Sequence, residues 1–389
     1  MEQSHPAIVV VAFNRPKSLS RVLKSVQTAF YPSDRKIALI ISIDYSPTNK
    51  KVLEIANDFI WENGTKQVIQ HQENLGLKKH ILSCGDLSQK YGSVIVLEDD
   101  LYVSPNFYNY VVGAFQFVKD KTYVGGIALY NHKINVHTGE YFSAYEDGFD
   151  NWYFQFACSW GQAWNAQQWQ HFRTWLSENP VLEKSTEIPE NVSSWSDKSW
   201  LKFFIAYLAH SKKYFLYPKV SLSTNFNDPG THVGQDSTAY QVELANHQKT
   251  EFNFSCLADS NAVYDAFFES ETVASSFEFK KGDLEVDLYG YKPLTNKPYL
   301  LSSKQLPKKQ LAQFTRSLKP IECNIVQKLP GNELFLYDLR THQKNEFEQG
   351  DYQQYRRIIY SSKVLSYRKA TIIFKQLIWD RIKQMFGKN

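Results

Sequence analysis

The chain has 389 residues, of which 43% are hydrophobic and 22% charged, proportions typical of a globular protein. This length is enough for one large domain with an additional segment, or for two domains of ordinary size. No stretch approaches the roughly 18 to 20 consecutive apolar residues that a bilayer-spanning helix needs, so we expect a soluble, folded protein.

The net charge of +4 is unevenly distributed along the chain. Residues 356–389 carry nine basic side chains and one acidic side chain, a net +8, which leaves −4 for the rest of the protein. The basic balance therefore belongs to the tail, and the sequence does not predict a nucleic-acid-binding surface on the body.

The cysteines and the first residues of the chain indicate the cellular compartment in which we expect the protein. The four cysteines are widely scattered and show neither metal-ligand spacing nor a disulfide framework, so we expect buried thiols. Residues 1–16 lack the profile of a signal peptide because the apolar run is short and no basic segment precedes it. The sequence predicts a cytoplasmic protein, with peripheral attachment to the inner face of the cytoplasmic membrane as a further expectation.

The first hundred residues alternate short apolar runs with helical patterns. Strands are predicted at 7–11, 39–43 and 93–97, because these runs contain few polar residues, and a further strand is predicted at 67–70. Helices are predicted after Arg15-Pro16, across Val52 to Ile60, and from about Gly76, because apolar residues recur there at helical spacing. Four βα repeats predict an α/β fold with a doubly wound, mostly parallel sheet.

The chain is predicted to contain three regions. Residues 1–240 would form the α/β domain, with a first half at about 1–110 and a second half at about 111–240. Residues 250–345 would form a small, mainly β appendage, since short β-like runs at 277–279, 284–288 and 334–337 lie between turn residues. Residues 350–389 would form a basic, amphipathic helical tail.

Polar residues follow each predicted strand at the edge where such sheets bind ligands. They are Asn14 and Arg15, then Asp44, then residues 74–79, then Glu98-Asp99-Asp100. Three adjacent carboxylates at one strand end repel one another, and a divalent cation would neutralise them. A solvated acidic turn is the alternative interpretation of such a triplet.

The segment from Val96 to Leu101, with Ser104-Pro105-Asn106-Phe107 after it, resembles the acidic motif of the GT-A-fold glycosyltransferases. Within them it is most similar to the N-acetylglucosaminyltransferase I family and its bacterial relatives among family 2-like sugar transferases. The resemblance covers roughly residues 7–235. It implies a GT-A (Rossmann-like) domain that transfers sugar from a UDP-sugar, with inversion.

The resemblance also implies a donor site. The last acid of the triplet, Asp100, would coordinate Mn²⁺ or Mg²⁺ on the donor diphosphate, with Glu98 and Asp99 at the ribose or at water-mediated positions. Asp44 would accept from N3–H of uracil, and Arg15 would lie near base and phosphates together with Asn14. Lys78 and Lys79, at a helix start, would bind phosphate. Ordinary turn and surface roles remain open for all of these.

Acceptor residues are implied by two tryptophan-rich segments. Ser159-Trp160-Gly161-Gln162-Ala163-Trp164 resembles the segment that forms the acceptor platform, so Trp160 and Trp164 would stack on a sugar, and Trp195 would join them. A place in the core is the alternative for any one of these rings.

A catalytic base is implied at Asp197, in Trp195-Ser196-Asp197-Lys198-Ser199-Trp200, which is similar to the family's Trp-Asp-Asp-Trp element. An inverting transfer needs one carboxylate to take the proton of the acceptor hydroxyl. The alternative is a helix cap. His232, in a glycine-containing loop that resembles the loop closing over the donor in GT-A enzymes, would be a second metal ligand or a phosphate contact, with a turn cap as the alternative.

Two other functions are weighed against a transferase. A sugar-nucleotide pyrophosphorylase would need a glycine-rich basic loop after the first strand, where this chain has Phe13-Asn14-Arg15-Pro16. A non-catalytic adaptor could bind a sugar nucleotide and attach to a membrane through the basic tail.

The tail itself predicts an amphipathic helix at 370–386. Most of its apolar side chains fall on one broad arc of the helical wheel, and polar residues lie opposite. Lys375 interrupts the arc, and Ile373 and Leu377 lie outside it. The arc comprises Phe374, Ile378, Trp379, Ile382, Met385 and Phe386. Aromatic and basic residues on such a helix favour an anionic membrane surface. The acceptor would then be a saccharide or lipid-linked saccharide of surface polysaccharide synthesis, with docking on protein as the alternative use of the helix.

Overall fold

The structure is a computed structural model that describes residues 5–33, 35–183, 185–226, 228, 240–345 and 366–386. The chain divides into two compact units. The first comprises Met1–Lys304 with Gln310–Leu339, and the second comprises Gln305–Lys309 with Arg340–Asn389.

The first unit begins with the predicted βα repeats. Strands β1 (Ala7–Ala12), β2 (Ile37–Ile43), β3 (Gly64–Gln70) and β4 (Ser93–Glu98) alternate with helices α1 (Pro16–Gln27), α2 (Lys50–Asp58), α3 (Gly76–Asp86) and α4 (Ser88–Tyr91). Pro16 occupies the first turn of α1, where its missing N–H is not needed. Helix α2 is shorter than its apolar pattern, because Phe59 turns to extended backbone and Ile60 is exposed.

The second half of this unit is less regular. It contains β5 (Leu101–Val103), α5 (Phe107–Phe117), β6 (Val124–Ala128), β7 (Asn151–Phe154), β8 (Gln162–Asn165), α6 (Ala166–Glu178), α7 (Glu190–Ser193), α8 (Trp200–His210), β9 (Tyr214–Pro218), β10 (Ser223–Asn225) and β11 (Val263–Tyr264). Strand β9 is buried throughout and ends at Pro218.

Nine strands of the described chain form one sheet in the order β11-β7-β9-β6-β8-β4-β1-β2-β3. Strands β3, β2, β1 and β4 are parallel to one another, whereas β8 is antiparallel to both β4 and β6. Strands β5 and β10 form a separate antiparallel ribbon. The predicted α/β class with a doubly wound, mostly parallel sheet is confirmed.

Helices cover both faces of the sheet. Leu19 of α1 and Tyr108 of α5 are buried on one face, while Ile81 of α3, Trp169 of α6 and Phe204 of α8 are buried on the other. Because both faces are covered, β1 carries six consecutive buried residues, as the uninterrupted apolar run predicts.

The β-rich region after residue 250 is present, with two differences from the prediction. It contains β12 (Leu284–Asp287), β13 (Tyr299–Ser302), β14 (Lys308–Phe314), helix α9 (Cys323–Val326) and β15 (Leu334–His342), in the sheet order β12-β13-β15-β14. Residues 277–279 follow a 3-10 turn and form no strand. Most of the region lies in the first compact unit, and β11 extends the large sheet, so it differs from a separate appendage.

Helix α10 (Tyr367–Phe386) belongs to the second unit and provides the predicted helical tail. Its large apolar side chains are exposed, namely Ile372, Ile373, Phe374, Leu377, Ile378, Trp379 and Ile382. No helix among the described residues is long and apolar enough to cross a bilayer.

Candidate functional site

The residues predicted to share a crevice lie at one edge of the sheet. Val11 of β1 pairs with Glu98 of β4, and Ala12 pairs with Ile43 of β2, so these three parallel strands end together. The loops that follow them carry Asn14 and Arg15, Asp44, and the acidic triplet. Asn14 is exposed at this edge.

Arg15 is held by the triplet. Its guanidinium makes an ion pair with Asp99 through Nη2 and donates to Asp100 Oδ2 from Nη1 at 3.1 Å. Burial alone would lower the pKa of Arg15, but the two carboxylates raise it above its ordinary value. The arginine therefore stays charged and neutralises part of the triplet.

The carboxylates of the triplet differ in their surroundings. Burial raises the pKa of Glu98 well above its usual range, and the charges of Asp100 and Asp99 raise it further. Burial also raises the pKa of Asp99, to about 6, although Arg15 acts to lower it. A nearby cation favours the ionised form of crowded acids of this kind.

Two oxygens of the triplet fit a metal ion. Asp99 Oδ2 and Asp100 Oδ1 are buried and have no hydrogen-bond partner in the described part of the chain. Hard cations such as Mg²⁺ and Mn²⁺ prefer carboxylate oxygens and often use few protein ligands beside substrate phosphates and water. No group of three or more His, Cys, Asp or Glu among the described residues is placed to hold a metal.

A second charged contact joins α1 to the segment after β10. Arg21 makes an ion pair with Asp228 and lies 3.9 Å from the centroid of the Phe226 ring. Ser18 Oγ donates to Asp228 Oδ2 at 2.8 Å, and Arg15 donates to the backbone oxygen of the same residue at 3.3 Å. His232, the second metal ligand in the sequence-based prediction, lies outside the described residues.

Asp44 is engaged by backbone donors. The side chain is buried, and its carboxylate accepts from the N–H groups of Leu75 at 2.8 Å and Gly76 at 3.0 Å, at the start of α3. It also accepts from the N–H of Tyr45 at 2.9 Å. The carboxylate thus orders the loop before α3.

Lys78 and the predicted base lie together. Lys78 Nζ donates to the backbone oxygen of Asp197 at 3.0 Å and sits 3.5 Å from the ring centroid of Phe203, while Lys79 is exposed. Since α3 starts at the carboxyl edge of the sheet, Asp197 reaches the same edge. The cap of α8 is Ser199, whose Oγ accepts from Lys202 N, so Asp197 is not the capping residue.

The three predicted acceptor tryptophans occupy different environments. Trp160 is half-buried and packs on Tyr130 and Tyr240 at ring distances of 4.6 and 5.0 Å. Trp195 is also half-buried. Trp164 is fully buried against Trp169, so its ring faces the core, and the acceptor-stacking prediction for Trp164 does not fit its position.

The turn between Trp160 and β8 depends on a glycine. Gly161 has a φ of +93°, and a Cβ atom there would lie 3.1 Å from Leu129 Cβ and 3.1 Å from Ser223 Oγ. A side chain at this position would be strained by both conformation and space. The reversal fixes Trp160 beside the β5–β10 ribbon, because Ser223 Oγ donates to the Trp160 carbonyl.

The contacts of Ser18 and Arg21 with Asp228 were not predicted from the sequence. Arg15, Ser18 and Arg21 follow one another at a spacing of three residues, which places them along one side of α1. That spacing was the available signal. Asp228 gave none, because its partners lie more than 200 residues away in the chain.

Comparison with known proteins shows what the domain is similar to. Residues 7–163, less than half of the chain, match the model of Glycosyl transferase family 2. An alpha-1,3-mannosyl-glycoprotein 2-beta-N-acetylglucosaminyltransferase of Arabidopsis thaliana is 24% identical over 246 residues, which are 60% of this chain and 50% of that protein. The chain thus spans about half the length of this relative. The predicted resemblance to glycosyltransferases is confirmed.

Two solved structures are distantly similar to the chain. The mannosyltransferase PcManGT from Pyrobaculum calidifontis, in complex with GDP-Man and Mn²⁺, has a TM-score of 0.33 and 11% identity, covering 55% of this chain and 57% of that one. S. aureus TarS 1-349 in complex with UDP-GlcNAc has a TM-score of 0.33 and 14% identity, covering 54% and 58%. These scores are too low to carry an argument about individual residues.

Proposed function

We propose, from the glycosyl transferase family 2 domain that residues 7–163 form, that the protein is a metal-dependent, inverting glycosyltransferase. The donor is a UDP-sugar, and the acceptor is a hydroxyl of a saccharide or lipid-linked saccharide in surface polysaccharide synthesis. Mn²⁺ or Mg²⁺ is the cofactor. The sugar is a hexose or an N-acetylhexosamine.

One observation carries this proposal: two buried carboxylate oxygens without partners in the described chain, Asp99 Oδ2 and Asp100 Oδ1, at the carboxyl edge of a doubly wound sheet. Unpaired buried carboxylate oxygens are costly unless a ligand or ion satisfies them. Asp100 is the direct metal ligand in this proposal, with Glu98 and Asp99 beside it. A bound divalent ion would stabilise the charge of the departing diphosphate.

The rest of the donor site surrounds the triplet. Asp44 recognises the uracil edge, while Arg15, Lys78 and Lys79 contribute positive charge for the phosphates, and Asn14 lines the same edge. Lys78 and Lys79 lie in the first turn of α3, and helix starts favour anions such as phosphate, which supports this arrangement. His232 remains a proposed second metal ligand or phosphate contact.

Asp197 is the proposed base on the acceptor side. Its side chain is 68% exposed, so an acceptor hydroxyl can reach it. The hydrogen bond and charge of Lys202 lower the pKa of Asp197 below its ordinary value, which keeps the carboxylate ionised but makes it a weaker base. Trp160 and Trp195, both half-buried, supply aromatic faces for the acceptor sugar.

The membrane surface is the proposed partner of α10. Arg368, Lys369, Lys375 and Arg381 accompany seven exposed large apolar side chains on this helix. Cations near an anionic bilayer contribute about 1 kcal/mol each, and exposed aromatic and aliphatic groups enter the headgroup region. Such attachment would bring the domain to lipid-linked acceptors at the inner face of the cytoplasmic membrane.

Nucleotide titration tests the proposal. Isothermal titration with UDP should give binding in the presence of Mn²⁺ and little binding with EDTA, and a panel of UDP-sugars should reveal the donor through slow hydrolysis. Release of UDP that accelerates with a saccharide acceptor identifies a transferase. Binding without turnover would instead favour a non-catalytic adaptor, and nucleotide-sugar formation from a sugar phosphate would favour a pyrophosphorylase.

A further inference from the structure

Arg15 lies where the bound cation of the proposed site would act. Its two terminal nitrogens contact different carboxylates, Asp99 through Nη2 and Asp100 through Nη1, and its Nη1 also reaches the backbone oxygen of Asp228. Each carboxylate is left with one buried oxygen that has no partner among the described residues. Arg15 therefore contacts one oxygen of each carboxylate, and the second oxygen of each has no partner among the described residues.

The net charge of Asp99, Asp100 and Arg15 affects whether a divalent cation binds alone or together with a diphosphate. The carboxylates of Asp99 and Asp100 and the guanidinium of Arg15, which are in direct contact, carry formal charges that sum to −1. A divalent cation entering alone would change the net charge of this group from −1 to +1. It would also compete with the charge-assisted contacts that Arg15 makes with both carboxylates, which are among the stronger polar interactions in proteins. A diphosphate entering with the metal restores negative charge and offers the guanidinium a second anion with matching geometry.

We propose that Arg15 is a resident counter-cation of the donor site, which keeps a free metal ion from binding and turns toward the diphosphate when metal and nucleotide enter together. This inference rests on the proposed function. It makes Arg15 a positioning residue that couples the two ligands: metal binding would be weak alone and strong with nucleotide. Coupling of this kind is reciprocal, so the metal must raise nucleotide affinity by the same factor.

Arg21 provides a matched control. It lies two turns along α1, carries the same charge and is similarly exposed, but its guanidinium pairs with Asp228 and not with the triplet. Replacing either arginine by glutamine removes one positive charge from the same region. A difference between the two variants therefore reports the contact with Asp99 and Asp100 and not the general electrostatic field.

The test measures Mn²⁺ binding through the electron paramagnetic resonance signal of the free ion, with and without UDP, in the full chain. We expect Arg15→Gln to bind Mn²⁺ alone about tenfold more tightly than the wild type, the scale of one charge-assisted hydrogen bond. The same variant should lose most of the enhancement that UDP gives. Arg15→Lys keeps the positive charge but lacks the planar set of guanidinium donors, so its Mn²⁺ affinity should lie between those of the wild type and Arg15→Gln. Arg21→Gln should match the wild type.

The outcomes separate this inference from the proposed function. If the wild type shows no Mn²⁺-dependent UDP binding, the proposed function and the role of Arg15 fall together. If the wild type couples the two ligands but Arg15→Gln and Arg15→Lys leave Mn²⁺ affinity and coupling unchanged, Arg15 is a structural ion pair only. Equal effects at Arg15 and Arg21 would also overturn the inference, because they would indicate a general effect of charge.

Discussion

Lys202 Nζ donates to Asp197 Oδ1 at 2.9 Å, and the same ammonium group donates to the Trp195 carbonyl at 2.9 Å. The lysine is almost fully buried, whereas the carboxylate is mostly exposed. Lys202 thus fixes one oxygen of the proposed base and leaves the other toward solvent. The pair makes the role of Asp197 testable in two independent ways.

The first prediction concerns Asp197→Asn, which should keep UDP-sugar affinity within a few-fold and lower transfer by about 10²-fold, the low end for loss of a general base. Lys202→Met should shift the acid limb of the kcat/KM profile to higher pH, because losing the lysine lets the pKa of Asp197 rise toward its ordinary value. Near-normal transfer by Asp197→Asn would remove Asp197 from the mechanism.

The second prediction is that Asp100→Ala abolishes Mn²⁺-dependent UDP binding while the fold persists. The melting temperature should change by only a few degrees, because Arg15 keeps its contact with Asp99. Calorimetric titration and thermal unfolding measure the two effects. The control is Asp120→Ala, which removes an exposed acid paired with its neighbour Lys121 and should leave UDP binding unchanged. Mn²⁺-dependent turnover that survives in Asp100→Ala would contradict the metal assignment.

The third prediction concerns Asp44→Asn. The asparagine amide has one oxygen that can accept a hydrogen bond, and its NH₂ group cannot accept from the backbone N–H of Leu75 or Gly76. The free energy of unfolding should therefore fall by about 2 kcal/mol. If Asp44 also recognises uracil, the preference for UDP over CDP should shrink as well. Chemical denaturation and competition between the two nucleotides check these effects. Lost stability with an unchanged preference would make Asp44 a structural residue only.

The repetitive part of the fold was predictable, and the polar contacts of the site were not. Buried parallel strands such as β1 produce continuous apolar runs, so β1, β2, β4 and the edge carrying Asp44 and Asp100 follow from local sequence. Strand β8 runs antiparallel between β4 and β6 and has no such local signature.

Long-range pairing explains what remained hidden in the site. The contacts of Arg15 with Asp99 and Asp100 join residues about 85 positions apart, and sequence patterning does not encode which of several nearby acids an arginine selects. Trp164 shows the same limit in the core. Its motif suggests a sugar platform, but burial depends on α6 and α8, whose packing the motif does not contain.

The fourth prediction concerns acid stability. His132 is buried among aromatic rings, and burial lowers its pKa to about 3. Its unfolded pKa is higher, near 6.5, so the unfolded chain binds the extra proton and stability falls as pH drops below about 6.5. At pH 5 this histidine alone should cost about 2 kcal/mol relative to neutral pH. His132→Phe should flatten the loss, as measured by denaturation between pH 7 and pH 4; parallel curves for both proteins would refute the assignment.

The fifth prediction concerns α10 and anionic vesicles. The full chain should co-sediment with phosphatidylserine-containing vesicles at low salt and be released at high salt, because screening weakens attraction between the basic residues and lipid headgroups. A chain ending at Tyr355 should stay in the supernatant under both conditions. The quadruple variant Arg368→Gln, Lys369→Gln, Lys375→Gln and Arg381→Gln should lose about 4 kcal/mol of binding, about 1 kcal/mol for each cation.

The apolar contribution of α10 can be separated from its charge. Phe374→Ser with Trp379→Ser keeps every cation but removes two exposed aromatic rings, so the remaining binding should become fully sensitive to salt. Vesicles of neutral lipid serve as the control for charge. If the full chain and the chain ending at Tyr355 sediment equally on anionic vesicles, the helix does not bind membranes. A concentration-dependent change in mass that requires α10 would then assign its apolar residues to self-association.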